Sequence, residues 1–266
     1  MSIKSATSKP AVLITGASTG IGATYADRFA KRGHDLVLVA RDAAKLKEVA
    51  GRLQKETGVR VEVLKADLTD PGELAKVETR LKDDARIGIL VNNAGTALPG
   101  GFLDQGADTL AKLIALNATA VTRLASAIAP RLVAEGGGAI INIGSVLGVA
   151  PELAFTVYGA TKAFVQLLSQ GLNVELGPKG VYIQAVLPAA TRTEIWDKAG
   201  KDVNQIEGVM DVGELVDAAL VGFDRREQVT IPPLPDDGQW NAFDMARKAM
   251  LPNFRQVHAA PRYRAA

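Results

Sequence analysis

Short runs of Val, Ile and Leu alternate along this chain with longer stretches in which apolar residues recur at helical spacing. The runs fall at 11–15, 35–40, 60–64, 87–91, 139–143, 181–186 and 228–231. Each is continuous rather than alternating, as expected of strands covered on both faces in a parallel sheet. Helices are predicted between them over 20–32, 43–57, 72–84, 108–135, 156–176 and 212–225. Strict alternation of strand and helix predicts an α/β fold with a doubly wound sheet. No repeat, low-complexity tract or long linker interrupts the rhythm, so one domain is expected for residues 1–266, with a core over about 10–231 and a C-terminal extension over 232–266. The extension opens on Pro232-Pro233-Leu234-Pro235 and then carries Trp240, Phe243 and Phe254, large apolar groups that want burial. Packing on its own domain, folding back over a site, and meeting a second subunit are all open to it.

Between the first run and the first helix lies Thr15-Gly16-Ala17-Ser18-Thr19-Gly20-Ile21-Gly22. A strand, a glycine turn and a helix start make a site for a phosphate, because free backbone N–H groups point outward and the helix dipole favours an anion. The spacing is G-x-x-x-G-x-G rather than the commoner G-x-G-x-x-G, and such a turn also serves geometry alone. The second run ends Val39-Ala40-Arg41-Asp42. In a Rossmann unit this strand end lies beside the adenosine ribose. Ala40 stands where a carboxylate would hold a 2′-hydroxyl, and the Arg41 fork suits a phosphate dianion, so NADP(H) is expected in preference to NAD(H). Asp42 could hold a ribose hydroxyl, but capping a helix from Ala43 is the preferred reading. Asp67 and Leu68 follow the third run, with Asp67 suited to an adenine amino group or to a plain turn. Asn92-Asn93-Ala94-Gly95 bring amides and small residues to the carboxyl end of the fourth run, where dinucleotide crevices lie.

The fifth run leads to Ser145, and Tyr158 and Lys162 follow on a predicted helix, four residues apart and so on one face. A free tyrosine titrates near pH ~10. A neighbouring ammonium and an oxidised nicotinamide would both lower that value, letting Tyr158 pass a proton to a carbonyl oxygen or take one from an alcohol. Ser145 at the strand tip can hydrogen-bond the same oxygen.

Composition narrows the alternatives. There is no cysteine, and the two histidines, His34 and His258, are far apart, so no metal centre and no Ser-His-Asp triad is expected. The net charge of +2 and the lack of a basic block argue against a nucleic-acid partner. The first ten residues lack the apolar core of a signal peptide, and no run approaches a membrane span. A soluble, cytoplasmic chain with no membrane partner is the expectation.

The Thr15–Gly22 turn, the Asn92–Gly95 segment, Asn117 in Leu116-Asn117-Ala118, Ser145, and Tyr158-Gly159-Ala160-Thr161-Lys162 occur in the order found in the short-chain dehydrogenases/reductases. The chain resembles that family over roughly residues 10 to 232, in its NADP-preferring branch. The resemblance implies a seven-stranded parallel Rossmann sheet and a carbonyl–alcohol oxidoreductase. Tyr158 would be the acid/base, Ser145 would polarise the substrate oxygen, and Lys162 would hold the nicotinamide ribose and lower the tyrosine pKa. Asn117 would anchor a water in a proton relay. Cofactor contacts would come from Gly16, Ser18, Thr19, Gly20, Ile21, Gly22, Arg41, Asp67, Leu68, Asn93, Ala94 and Gly95, then from Tyr158, Lys162, Pro188, the Thr191 main chain and the Thr193 side chain. One departure is Ala189, where the family has glycine.

Residues 192–211 look like the family's substrate flap. Leu147, Leu153, Phe155, Ile195 and Trp196 would join Ser145 and Tyr158 around a mostly apolar ketone, aldehyde or alcohol. The related alternative is a 3-oxoacyl-(acyl carrier protein) reductase, and the distant one a non-catalytic dinucleotide sensor. Family relatives commonly associate through their long helices, so a homo-oligomer, tetramer or dimer, is expected.

Overall fold

The structure is a computed structural model that describes residues 9–153, 155–198 and 200–264, with backbone only at Asp197 and Lys198. The expectation about the extreme N-terminus therefore lies outside the described residues. Two compact units are present, divided between Pro232 and Pro233.

The first unit carries strands β1 (Ala11–Thr15), β2 (Leu36–Ala40), β3 (Val61–Lys65), β4 (Ile87–Asn92), β5 (Gly138–Ile143), β6 (Val181–Val186) and β7 (Val229–Thr230). Between them run α1 (Gly20–Lys31), α2 (Ala43–Thr57), α3 (Pro71–Asp83), α4 (Ala107–Ile114), α5 (Ala120–Ala134), α6 (Thr156–Leu176), the short α7 (Ile195–Lys198) and α8 (Val212–Asp224). The strands form one seven-stranded sheet in the order β3-β2-β1-β4-β5-β6-β7, and every pairing is parallel. The expected doubly wound sheet is thus present.

Alternate strand residues feed two apolar layers. Val12, Ile14, Leu36, Leu38 and Ile141 pack with α1, α2 and α8 on one face. Leu13, Val37, Val39, Leu90 and Ile140 pack with α3 and α5 on the other. Both faces are covered, which is why the strands read as unbroken apolar runs. Asp42 caps α2, its Oδ1 accepting from the N–H groups of Ala44 and Lys45 at 3.0 Å each, and Gly58 closes the helix at φ +74°.

The helix predicted over 108–135 is not one regular helix. A wide turn at Ala115–Thr119, with π-type spacing, separates α4 from α5. Asn117 explains the interruption. Its Oδ1 accepts from Thr96 N at 3.0 Å, while Nδ2 donates to Thr96 O at 2.9 Å and to Thr161 Oγ1 at 3.2 Å. The extra residue in the turn accompanies an Asn117 side chain aimed at those three partners. The sequence reading also missed that Ala107–Ala134 is long and apolar enough to cross a bilayer. Half of its most apolar window is nevertheless buried within the protein, with Leu124, Ile128 and Leu132 packed in the second apolar layer.

The second unit holds α9 (Gly238–Ala249) and two short helical turns, Leu251–Arg255 and Pro261–Tyr263. No α9 residue is buried. Trp240 packs on Phe243 at 5.4 Å between ring centroids.

Candidate active site

The carboxyl ends of six strands open into one cleft of about 1050 Å³. It runs across the point where chain order reverses, between β1 and β4, which is where open α/β sheets bind ligands.

The glycine turn forms its floor. Gly16 adopts φ +66° and Gly20 φ +54°, conformations open to glycine and strained for other residues. Thr15 Oγ1 accepts from the N–H groups of Asn93 and Ala94, 3.0 Å from each, and Asn93 Nδ2 donates to Thr15 O at 2.9 Å. Asn93 therefore ties the turn to the end of β4. Thr19 precedes α1 without capping it, and the first turn of α1 holds no carboxylate. The positive end of that helix is left to face an anion in the cleft.

At one end of the cleft stand Arg41, Asp42, Lys45, Asp67 and Leu68. The capping preferred for Asp42 is present, and its Oδ1 is thereby engaged. Asp67 Oδ1 accepts from Thr69 N at 2.9 Å and from Thr69 Oγ1 at 2.7 Å, the turn-forming alternative. These two bonds and the nearby Arg41 charge hold its carboxyl below the usual range, against the opposing effect of burial, which is the largest single influence.

Towards the other end lie Ser145, Tyr158 and Lys162. Ser145 is buried, its Oγ accepting from Leu147 N at 3.2 Å and lying 3.3 Å from Pro188 O. Lys162, on the same face of α6 as Tyr158, is 5 % exposed and donates to Ile143 O at 2.9 Å. Its Nζ is 5.6 Å from the centre of the Tyr158 ring. Burial pushes the Tyr158 phenol up to about 12, with a hydrogen bond to Ser145 pulling the other way. Burial likewise pushes Lys162 down to about 8. The lowering expected for Tyr158 involves both the ammonium and an oxidised nicotinamide; in the protein without the nicotinamide, desolvation is the dominant influence on each group.

The loop after β5 presses on α6 because two glycines let it. A Cβ on Gly148 would sit 2.8 Å from Ala163 N, and one on Gly159 would sit 2.9 Å from Leu147 O. This contact, invisible in spacing, brings Ser145 to Tyr158.

Leu147, Leu153, Phe155, Ile195, Trp196 and Ile206 supply apolar walls, with Lys201 and Glu207 at the same lobe. Trp196 Nε1 donates to Thr191 O at 2.7 Å, which fixes the indole. Residues 192–209 are pinned at their base. Thr191 and Met210 form a β-bridge, with N–H groups of Arg192 and Met210 bonded to Met210 O and Ala190 O. Pro188, Ala189, Thr191 and Thr193 line the cleft beside Ser18 and Ile21.

Two expected site residues do not reach the cleft wall. Gly22 lies behind the turn, where a Cβ would be 2.3 Å from Gly16 O. Asn117 lies behind Gly95, its Oδ1 3.3 Å from where a Cβ on that glycine would stand, with Lys162 Nζ at 3.5 Å from the same point. Among the described residues no cluster of groups suited to a metal ion is present. Lys45 was not singled out from the sequence, since a half-exposed charge carries no periodic signal.

The model of the short chain dehydrogenase family matches residues 10–204. A short-chain dehydrogenase from Sphingobium yanoikuyae in complex with NADPH is 65% identical, covering 96% of this chain and 100% of its own, with a TM-score of 0.95. An alcohol dehydrogenase from Comamonas testosteroni, described as specific for bulky-bulky ketones, is 58% identical over 97% of this chain and 100% of its own, with a TM-score of 0.91. A very-long-chain 3-oxoacyl-CoA reductase of Bos taurus is 37% identical over 197 residues, 70% of this chain and 63% of that protein. The chain thus spans less than two thirds of the length of that relative.

Proposed function

The chain belongs to the short-chain dehydrogenase family and is an oxidoreductase, and from that premise we propose that it reduces ketones with NADPH and runs the reverse oxidation of secondary alcohols. One observation supports this most: Ser145 and Tyr158 face an apolar lobe of the same cleft whose far end carries Arg41 and Lys45. The substrate class proposed is a ketone with apolar groups on both sides of the carbonyl. Leu147, Leu153 and Phe155 offer one wall, and Ile195, Trp196 and Ile206 another. The bulky-bulky ketone specificity of the Comamonas protein agrees with that shape.

The glycine turn and the start of α1 suit a pyrophosphate, and Arg41 beside an uncharged strand tip suits a 2′-phosphate. When bound, NADPH supplies a hydride to the carbonyl carbon. Tyr158 hands its hydroxyl proton to the carbonyl oxygen, so the ketone leaves as an alcohol. Ser145 turns its hydroxyl from the Pro188 carbonyl, a long 3.3 Å contact, to the substrate oxygen. Lys162 stands behind the phenol, and Asn117 holds the Thr96 and Thr161 groups around it in place.

A panel of ketones tests the reading, with small aliphatic, bulky diaryl or alkyl-aryl, and 3-oxoacyl thioester members, each assayed with NADPH and with NADH. Bulky ketones with NADPH should give the highest kcat/KM. Faster turnover of thioesters would move the substrate to the 3-oxoacyl class, and faster turnover with NADH would overturn the role of Arg41.

A further inference from the structure

The basic end of the cleft contains a second cation that already has an anion. Lys45 lies in the first turn of α2, four positions after Arg41, and both line the cleft. Its ammonium is 3.5 Å from Oε1 of Glu194, at the start of the flap, and both side chains are half exposed. The pair therefore joins the flap to the rim opposite.

Two further observations bear on it. The first turn of α2 holds no carboxylate, so within that turn only the Asp42 cap offsets a lysine at the positive end of the helix dipole. A cation there is at a disadvantage unless an anion shares the place. Thr193, next to Glu194, lies against the start of α1: a Cβ on Gly20 would be 3.2 Å from its Cγ2. Glu194 follows Thr193 and lines the same cleft as Gly20, so its carboxylate shares that cleft with the proposed pyrophosphate, a like charge.

We infer that Lys45 is a second specificity-determining residue for the cofactor's 2′-phosphate, and that Glu194 occupies it until the phosphate does. This rests on the NADP(H) reading of Arg41. Binding is then an exchange in which a phosphate dianion replaces a single carboxylate on Lys45 and frees Glu194 of the flap. A cofactor without the 2′-phosphate cannot make that exchange and leaves the ion pair across the rim.

Equilibrium binding of NADPH and of NADH to the full chain, by calorimetry, tests this with Lys45→Met, Glu194→Gln, the double variant and Arg41→Gln. Both new positions are half exposed, and thermal unfolding confirms that each variant is folded. Lys45→Met should weaken NADPH about 5-fold and NADH less than about 2-fold, the scale of a solvent-accessible ion pair. Glu194→Gln should tighten NADPH about 2-fold to 3-fold, and the gain should vanish in the Lys45→Met background. A gain that persists there would overturn the exchange, since Glu194 would then act on the pyrophosphate directly. Equal loss of NADPH and NADH in Lys45→Met, or no loss of either, would overturn the role of Lys45. An unchanged NADPH preference in Arg41→Gln would instead overturn the underlying NADP(H) reading.

Discussion

Lys162 lies behind Tyr158 with its ammonium on the Ile143 carbonyl oxygen, and burial there draws its pKa from the ordinary 10.5 to about 8. Between those values the unfolded chain keeps a proton that the folded chain has released, so stability rises with pH across the interval. The full effect is on the order of 3 kcal/mol for a shift of this size. Tyr158 acts oppositely: raised to about 12, it stays protonated while the unfolded chain ionises, so stability falls above pH 10. Denaturant titrations from pH 7 to 10 should show the native protein gaining stability from about pH 8, and Lys162→Met should flatten that rise. A wild-type curve without it would mean the ammonium is solvated. Tyr158→Phe keeps the ring and removes the hydroxyl. It should lower kcat about 10²-fold to 10⁴-fold, the usual worth of a general acid, while NADPH affinity changes little. The Tyr158 and Lys162 pair was legible in the sequence because residue type and helical spacing carry it, whereas the approach of Ser145 to Tyr158 depends on the close contacts at Gly148 and Gly159, which spacing does not show. The direction in which the pair titrates was not legible, since burial and the depth of a side chain are properties of the packed protein.

At the scale of elements, the turn between β1 and α1 is fixed by contact as much as by conformation. An alanine at Gly22 would gain about 1 kcal/mol in helix propensity. Its Cβ would also stand 2.3 Å from Gly16 O and 2.5 Å from Asn93 Nδ2, which forces the turn away from β4. Overpacking of that kind costs about 1–3 kcal/mol, so Gly22→Ala should be a net loss. Thermal unfolding should register it, and NADPH affinity should drop about 10-fold as the turn is displaced. A stabilised variant with unchanged affinity would show that the helix propensity prevails. The strands and most helices fall within a residue or two of where hydrophobic patterning puts them, because a sheet covered on both faces leaves long apolar runs. The wide turn at Asn117 was hidden by the same patterning. One extra residue in a helix leaves its composition unchanged, and only the three bonds of the Asn117 side chain reveal it.

At the scale of the whole molecule, α6 buries one side and leaves apolar groups exposed on the other. Val165, Ser169 and Asn173 are buried, with Ser169 bonded to Asn142 of β5 and Asn173 to Ile183 of β6, while Phe164, Leu167 and Val174 are 44%, 64% and 77% exposed. Self-association through that face is the expected outcome, and Leu167→Glu should lower the mass measured by light scattering. An unchanged mass would place any seam elsewhere. The extension expected after the core is a compact unit, and its apolar groups were legible in the sequence, although α9 buries none of them. Finally, the base of the flap is held by main-chain groups of Ala190, Arg192 and Met210. Such bonds are indifferent to what side chains come between them. The segment thus has the form of a cassette: beyond Thr193 and Glu194, which line the cleft, a change of side chains between the two pinned ends leaves the main-chain clasp in place, and Ser145 after β5 and Tyr158 and Lys162 on α6 lie outside it.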